Sequence, residues 1–330
     1  MARIFQTGFE AGSSGIFNIA AGNGSIGSST TRGSWSTYAW NCESTRAEAS
    51  LDSSVTEFYF GIGFRVTGVG RTLIGFKSPT STEQLTFKIS AASFLEVRLG
   101  SDSGTILGTG TKILSLSTWY YLEGHVTIHD STGTVEAKID GVQEINLTGQ
   151  DTRNDASSGS VDRLFVREAS VIVDDIYVNS TTGTQNTGYS NDVRISAYIP
   201  NAAGTTTGLS RGGSDSGSNY GQVDERPPND STDYVYDSVV DDFDLYGLPN
   251  TSGVTSVQAV TTWIKAQKND AGAASIAHML RSGGTNDTGS DVALSTSWTY
   301  YRKNYNVDPT DSNAWTTGKL DALEVGVKVR

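Results

Sequence analysis

Residues 119–141 (WYYLEGHVTIHDSTGTVEAKIDG) alternate with a period of two. Tyr120, Leu122, Gly124, Val126 and Ile128 share one face, and Trp119, Tyr121, Glu123, His125 and Thr127 the other. Successive side chains of an extended backbone point to opposite sides, so the pattern predicts a strand with one buried face. Residues 130–133 supply turn chemistry, and Val135, Ala137 and Ile139 then resume the alternation. Asp140-Gly141 is a two-residue hairpin signal, with Val142, Ile145 and Leu147 beyond it. A three-stranded antiparallel meander is the expected result.

The same alternation predicts a strand over 55–66, with Phe58, Phe60, Ile62 and Phe64 inward. Shorter strands are expected over 73–76, 85–89 and 95–99. Residues 11–34 are mostly Gly, Ser, Thr and Asn and read as a long loop or irregular edge. Residues 179–192 (NSTTGTQNTGYSND) lose the apolar period, which puts a domain junction there, between domains 1–180 and 190–330. Beyond it, 193–199 (VRISAYI) reads as a strand stopped by Pro200, and 201–233 as a long open loop. Strands follow over 254–268, 294–301 and 321–329. Residues 273–281 admit either state, with a strand preferred because a hairpin signal precedes them. Residues 114–126 (LSLSTWYYLEGHV) are echoed by 293–305 (ALSTSWTYYRKNY). The expected fold class is all-β, two β-sandwich, jelly-roll-like domains in tandem.

The Trp-Tyr strand, the hairpin ending in Asp140-Gly141, the closing VIVDDIYV (171–178) and the opening IFQTGFE (4–10) together resemble a laminin-G or concanavalin A-like jelly roll. That resemblance covers the first half and concerns fold, since one sandwich hosts many unrelated activities.

Composition narrows the function classes. The formal net charge of −12 disfavours a nucleic-acid surface, which needs clustered Lys and Arg. No apolar run is long enough for a membrane span. MARIFQTGFE lacks a long apolar core after its basic residue and reads as a first strand rather than an export signal. Cys42 is the single cysteine, so no disulfide forms within one chain, and it is expected to be a buried or idle thiol.

Catalytic constellations are sparse. Glycosidases on this fold set carboxylates at alternate strand positions; the nearest candidates are Asp242 with Asp244, and Asp321 with Glu324, each expected on a solvated turn or edge. His125, His129 and His278 are too scattered to define a triad, and His125 is expected on an outward strand face. Residues 22–27 match a dinucleotide fingerprint but lack a βαβ setting. Asp174 and Asp175 could offer hard oxygen ligands to Ca²⁺, although turn residues are the preferred reading and no cofactor is expected. Tyr38, Trp40, Tyr220 and Trp315 could stack on sugar rings or equally be core residues. No catalytic residue is assigned, and the expectation is a protein that is not an enzyme.

The second half carries its own resemblance. VDERPPNDSTDYVYDS (223–238), VTSVQAVTTWIKAQKNDAG (254–272) and VDPTDSNAWTTGKLDALEVGVKV (307–329) resemble a module of tailed-bacteriophage virion structural proteins that follows a laminin-G-like jelly roll. The resemblance implies a virion protein made in the host cytoplasm, a capsid decoration protein first and a tail- or fibre-associated carbohydrate-binding module second. The implied partners are the major capsid protein or other virion proteins and further copies of the chain, with a host glycan under the second reading. Nucleic acid and membrane are not expected partners.

Overall fold

The computed structural model describes residues 2–17, 24–28, 30–42, 46–167, 169–214 and 217–330. The expected fingerprint loop begins at Gly22 and Asn23, which lie outside them. The chain divides into two compact units, Met1–Ser196 and Ala197–Arg330. Both are built from antiparallel strands, so the all-β sandwich class holds.

In the first unit one sheet runs in the order Val142–Gln150, Gly133–Ile139, Trp119–Thr127, Glu57–Val66, Val171–Ser180, Ala39–Cys42, Ser25–Gly27, with Arg3–Thr7 also on Val171–Ser180. The facing sheet runs Ala47–Val55, Val161–Val166, Arg71–Lys77, Glu83–Ile89, Leu95–Leu99, Ile106–Thr109. The meander forms as patterned, with Leu122 opposite Ile139 and Val135 opposite Leu147. Phe58, Phe60, Ile62 and Phe64 are fully buried. Phe58 meets Phe76 at 4.6 Å between ring centroids, and Phe60 meets Phe76 at 5.0 Å and Phe87 at 4.9 Å. Such aromatic pairs contribute roughly 0.5–1.5 kcal/mol each beyond their burial, and here they join the two sheets.

The outer face of Trp119–Thr127 is not solvated at its centre: Tyr121 and Glu123 are buried. Residues 188–195 lie over it. The Tyr177 hydroxyl donates to Glu123 Oε1 (2.6 Å) and accepts from the Ser190 amide (3.0 Å). Val193 and Ile195 pack against Tyr121 and Tyr177. The division between units therefore falls after Ser196, later than 179–192. Residues 193–199 are not a strand, because side chains take their backbone groups. The Ile195 amide donates to Asp175 Oδ1 (2.8 Å), and the Val193 carbonyl accepts from Arg32 Nη1 (2.9 Å).

In the second unit a sheet runs Ala202–Thr207, Phe243–Gly247, Glu324–Val329, Ser275–Ser282, Thr285–Thr288, with Val292–Ala293 also on Ser275–Ser282. Two further ribbons pair Ser210–Gly213 with Asp233–Tyr236, and Val260–Ala266 with Thr299–Tyr305. Leu280, Tyr305, Trp315 and Leu323 form the core, with Val260 and Val325 against it. Residues 273–281 take the strand reading. The expected open loop 201–233 instead contains two short strands and a 3₁₀ turn, Asn219–Gln222. The sequence echo has a geometric counterpart: Ser115 N donates to the Tyr120 hydroxyl (3.0 Å), and Ser295 N to the Tyr301 hydroxyl (3.1 Å).

Candidate functional site

A cavity of about 620 Å³ opens in the second unit, lined by Ala203, Thr207, Leu209, Arg211, Asn219, Tyr220 and Tyr246, with Ser210, Gly217 and Ser218 completing it. Ligand cavities commonly span about 300–1,000 Å³. Its frame is an interrupted strand pair. Ala203 faces Tyr246 and Thr207 faces Asp244, so Ala202–Thr207 carries extra residues against Phe243–Gly247 and bulges away. Glu324 Oε2 holds the bulge, accepting from Thr205 N and Oγ1, both at 2.9 Å.

Asp244 organises the wall. Among the described residues its carboxylate accepts four hydrogen bonds: Gly208 N (2.8 Å) and Leu209 N (2.9 Å) at Oδ1, and Asn219 Nδ2 (2.6 Å) and the Tyr246 hydroxyl (2.9 Å) at Oδ2. Asn219 Nδ2 also donates to the Leu209 carbonyl (2.7 Å). One buried side chain thereby ties the sheet, the 207–209 turn and the 3₁₀ turn that presents Tyr220. Burial, and then the adjacent Asp244 carboxylate, push the Tyr246 hydroxyl well above its ordinary pKa, so it stays a donor. The opposite wall is the Ser210–Gly213 ribbon. A Cβ at Gly212 would sit 2.3 Å from the Tyr234 ring, so glycine lets that ring close over the strand carrying Ser210 and Arg211.

Several sequence candidates are thereby reassigned. Asp244 is not on a solvated turn; it is fully buried and saturated, while Asp242 is half-buried and outside the cavity lining. Asp321 accepts from Thr251 N, and Glu324 braces the bulge. Of the four aromatics, Tyr220 lines the cavity. Trp40 is core, 5.0 Å from Phe17, and Trp315 is core, with Nε1 donating to the Tyr305 carbonyl (2.9 Å). Tyr38 is half-buried in the first unit. The histidines remain dispersed. His125 stacks on Tyr59 at 4.0 Å and meets Glu57 at 2.8 Å, His129 Nδ1 accepts turn amides, and His278 is buried beside Thr262.

Asp174 and Asp175 are not turn residues. Both are fully buried in Val171–Ser180, at a bulge where its neighbour changes from Ala39–Cys42 to Arg3–Thr7. Asp175 Oδ2 accepts from Arg32 Nη1 (2.8 Å) and Trp35 Nε1 (3.4 Å), and Asp174 Oδ2 accepts from Ser36 Oγ (2.9 Å). Burial, then the neighbouring Asp175 carboxylate, push Asp174 upward. Donors already occupy these oxygens, and among the described residues no group of three or more His, Cys, Asp or Glu is placed to hold a metal. Cys42 is buried, which raises its thiol pKa far above the reactive range.

The residues that sequence reading passed over are Arg211, Asn219 and Tyr246. Their signal was faint: RGGSDSGSNYG looks like linker, and only the aromatic-aspartate alternation of DFDLY (242–246) marked a strand with a polar side.

No family model matches the chain, and no curated protein matches it. Among solved structures it is similar to the carbohydrate-binding module CBM66 from Bacillus subtilis, at 10% identity over 48% of this chain and 92% of that one, with a TM-score of 0.34. It is also similar to the alginate lyase Aly36B, at 8% identity over 45% of this chain and 82% of that one, TM-score 0.31. A Trypanosoma rangeli sialidase matches at 12% identity over 43% of this chain and 25% of that one, TM-score 0.31. Likenesses this slight define neither ligand nor chemistry for this chain.

Proposed function

We propose that the chain is a carbohydrate-binding protein without catalytic activity, and that the second-unit cavity holds the sugar. The observation that carries this reading is the Asp244-organised cavity itself. It combines an aromatic surface (Tyr220, Tyr246) with the hydroxyls of Thr207, Ser210 and Ser218 and the Arg211 guanidinium. Sugar rings offer complementary faces, apolar C–H surfaces for aromatics and rims of hydroxyls for polar groups. The described lining holds no carboxylate, histidine or cysteine, and the Tyr246 hydroxyl is engaged as a donor to Asp244, which supports binding as the reading. Titrating the full chain with oligosaccharides tests this: micromolar to millimolar affinity lost in Tyr220→Ala supports it, and no binding overturns it.

A second reading is a virion structural protein, on the capsid surface or the tail. The order of the two resemblances favours it, a laminin-G-like first half followed by the phage-type module of 223–238, 254–272 and 307–329. Its partners would be the major capsid protein or other virion proteins and further copies of this chain. The acidic charge would keep free subunits soluble before assembly, and many weak contacts would add on a particle. Co-sedimentation with purified capsids or tails tests it; a chain that never associates with either removes it.

A further inference from the structure

If the cavity is a sugar site, the proposal on which this step rests, its lining also specifies the class of sugar. We infer that it takes an acidic sugar, one carrying a carboxylate, and that Arg211 is the residue that selects it. Arg211 is the one charged side chain of the described lining. Among the described residues it has no carboxylate partner. Arg65 and Arg281 have none there either, but they bond the Ser117 carbonyl and Asn286 and do not line the cavity, whereas Arg211 does. In a chain of formal net charge −12, a cation left unneutralised at a cavity is a local reversal of the prevailing field.

The geometry suits a carboxylate. Arg211 sits in Ser210–Gly213, in register with Val235, and its Nη1 donates to the Gly217 carbonyl. That bond fixes one side of the planar guanidinium and leaves its other N–H donors for a ligand. A guanidinium fork matches a carboxylate with two parallel hydrogen bonds, which an ammonium cannot do. Asp244 is turned to its own four donors and does not line the cavity, so among the described lining residues no carboxylate competes for Arg211. Tyr220 would then carry the ring while Arg211 reads the acid group.

The test is calorimetric titration of the full chain with uronic-acid oligosaccharides, sialylated oligosaccharides, and the methyl esters of both, which keep size and ring but lose the charge. The expected result is at least about 10-fold tighter binding of the acids than of their esters, the order expected for a charge-assisted pair. Arg211→Gln should abolish that difference, so the readout is the ratio of acid to ester affinity within each variant rather than ester binding itself. Arg211→Lys should retain only part of it, because the charge remains and the fork is lost. Equal affinity for acids and esters, or a preference unaltered by Arg211→Gln, overturns the inference and leaves the glycan reading standing. No binding of acids, esters or neutral oligosaccharides by a chain whose circular dichroism shows it folded overturns both.

Discussion

Replacing Asp244 by alanine should release the cavity wall, and the cost can be worked from its partners. Four donors lose an acceptor. Gly208 N retains the Phe243 carbonyl (3.1 Å), and Asn219 Nδ2 retains the Leu209 carbonyl (2.7 Å). The Leu209 amide and the Tyr246 hydroxyl, both on buried residues, have no such second acceptor among the described residues. Each orphaned buried donor costs about 1–3 kcal/mol. The sum over these two donors is about 2–6 kcal/mol, with no charge left unpaired because the carboxylate itself is removed. Asp244→Asn keeps one acceptor oxygen but sets an amide nitrogen against donors, so about half that loss is expected. Urea denaturation of the full chain, followed by hydrogen exchange at 207–222, reads both quantities. A loss under about 0.5 kcal/mol, the range of an ordinary surface substitution, with unchanged exchange in 207–222, would refute the assigned role of Asp244.

Arg32→Ala should leave the buried Asp175 carboxylate without its cation and cost about 3–5 kcal/mol, with residues 188–195 turning protease-sensitive; unchanged sensitivity would contradict the fastening described. His278 is buried, and desolvation together with Lys303 lowers its pKa from 6.5 to about 4. The unfolded chain then takes up its proton first, so stability is full above pH 6.5 and falls as pH drops toward 4, by up to about 3 kcal/mol. Unfolding of the second unit across that window should show the slope, and His278→Asn should flatten it. Gly212→Val should cost about 1–3 kcal/mol by overpacking against Tyr234, and a variant of unchanged stability would show that ring free to move.

The strands were legible where one face is apolar. In Glu57–Val66 and Gly133–Ile139 the pattern of Phe, Ile and Val states both the period and the buried side. It misled where a polar face is covered by chain rather than by water. Glu123 and Tyr121 look solvated in the sequence and are buried, because Tyr177 and Ser190 satisfy the polar groups locally. The cavity was hidden for a related reason. Its wall is held by one aspartate and an asparagine far apart in sequence, and hydrogen bonds between distant polar residues leave no periodicity. Residues 201–233 therefore read as a long open loop, although Asp244 fixes the turns around Leu209 and Asn219. Gly61 shows the same limit: a Cβ there would stand 2.2 Å from the Tyr177 ring, a contact that only the folded sheet reveals.

The central claim is that the second-unit cavity binds a carbohydrate without transforming it. It is tested most directly by probing a glycan array with the full chain beside Tyr220→Ala, and then incubating each retained glycan with the chain and analysing it by mass spectrometry. The account predicts retention of a defined set of glycans, loss of that retention in Tyr220→Ala, and recovery of every glycan unchanged in mass. An array blank for the folded chain, or cleavage of a retained glycan, would contradict it.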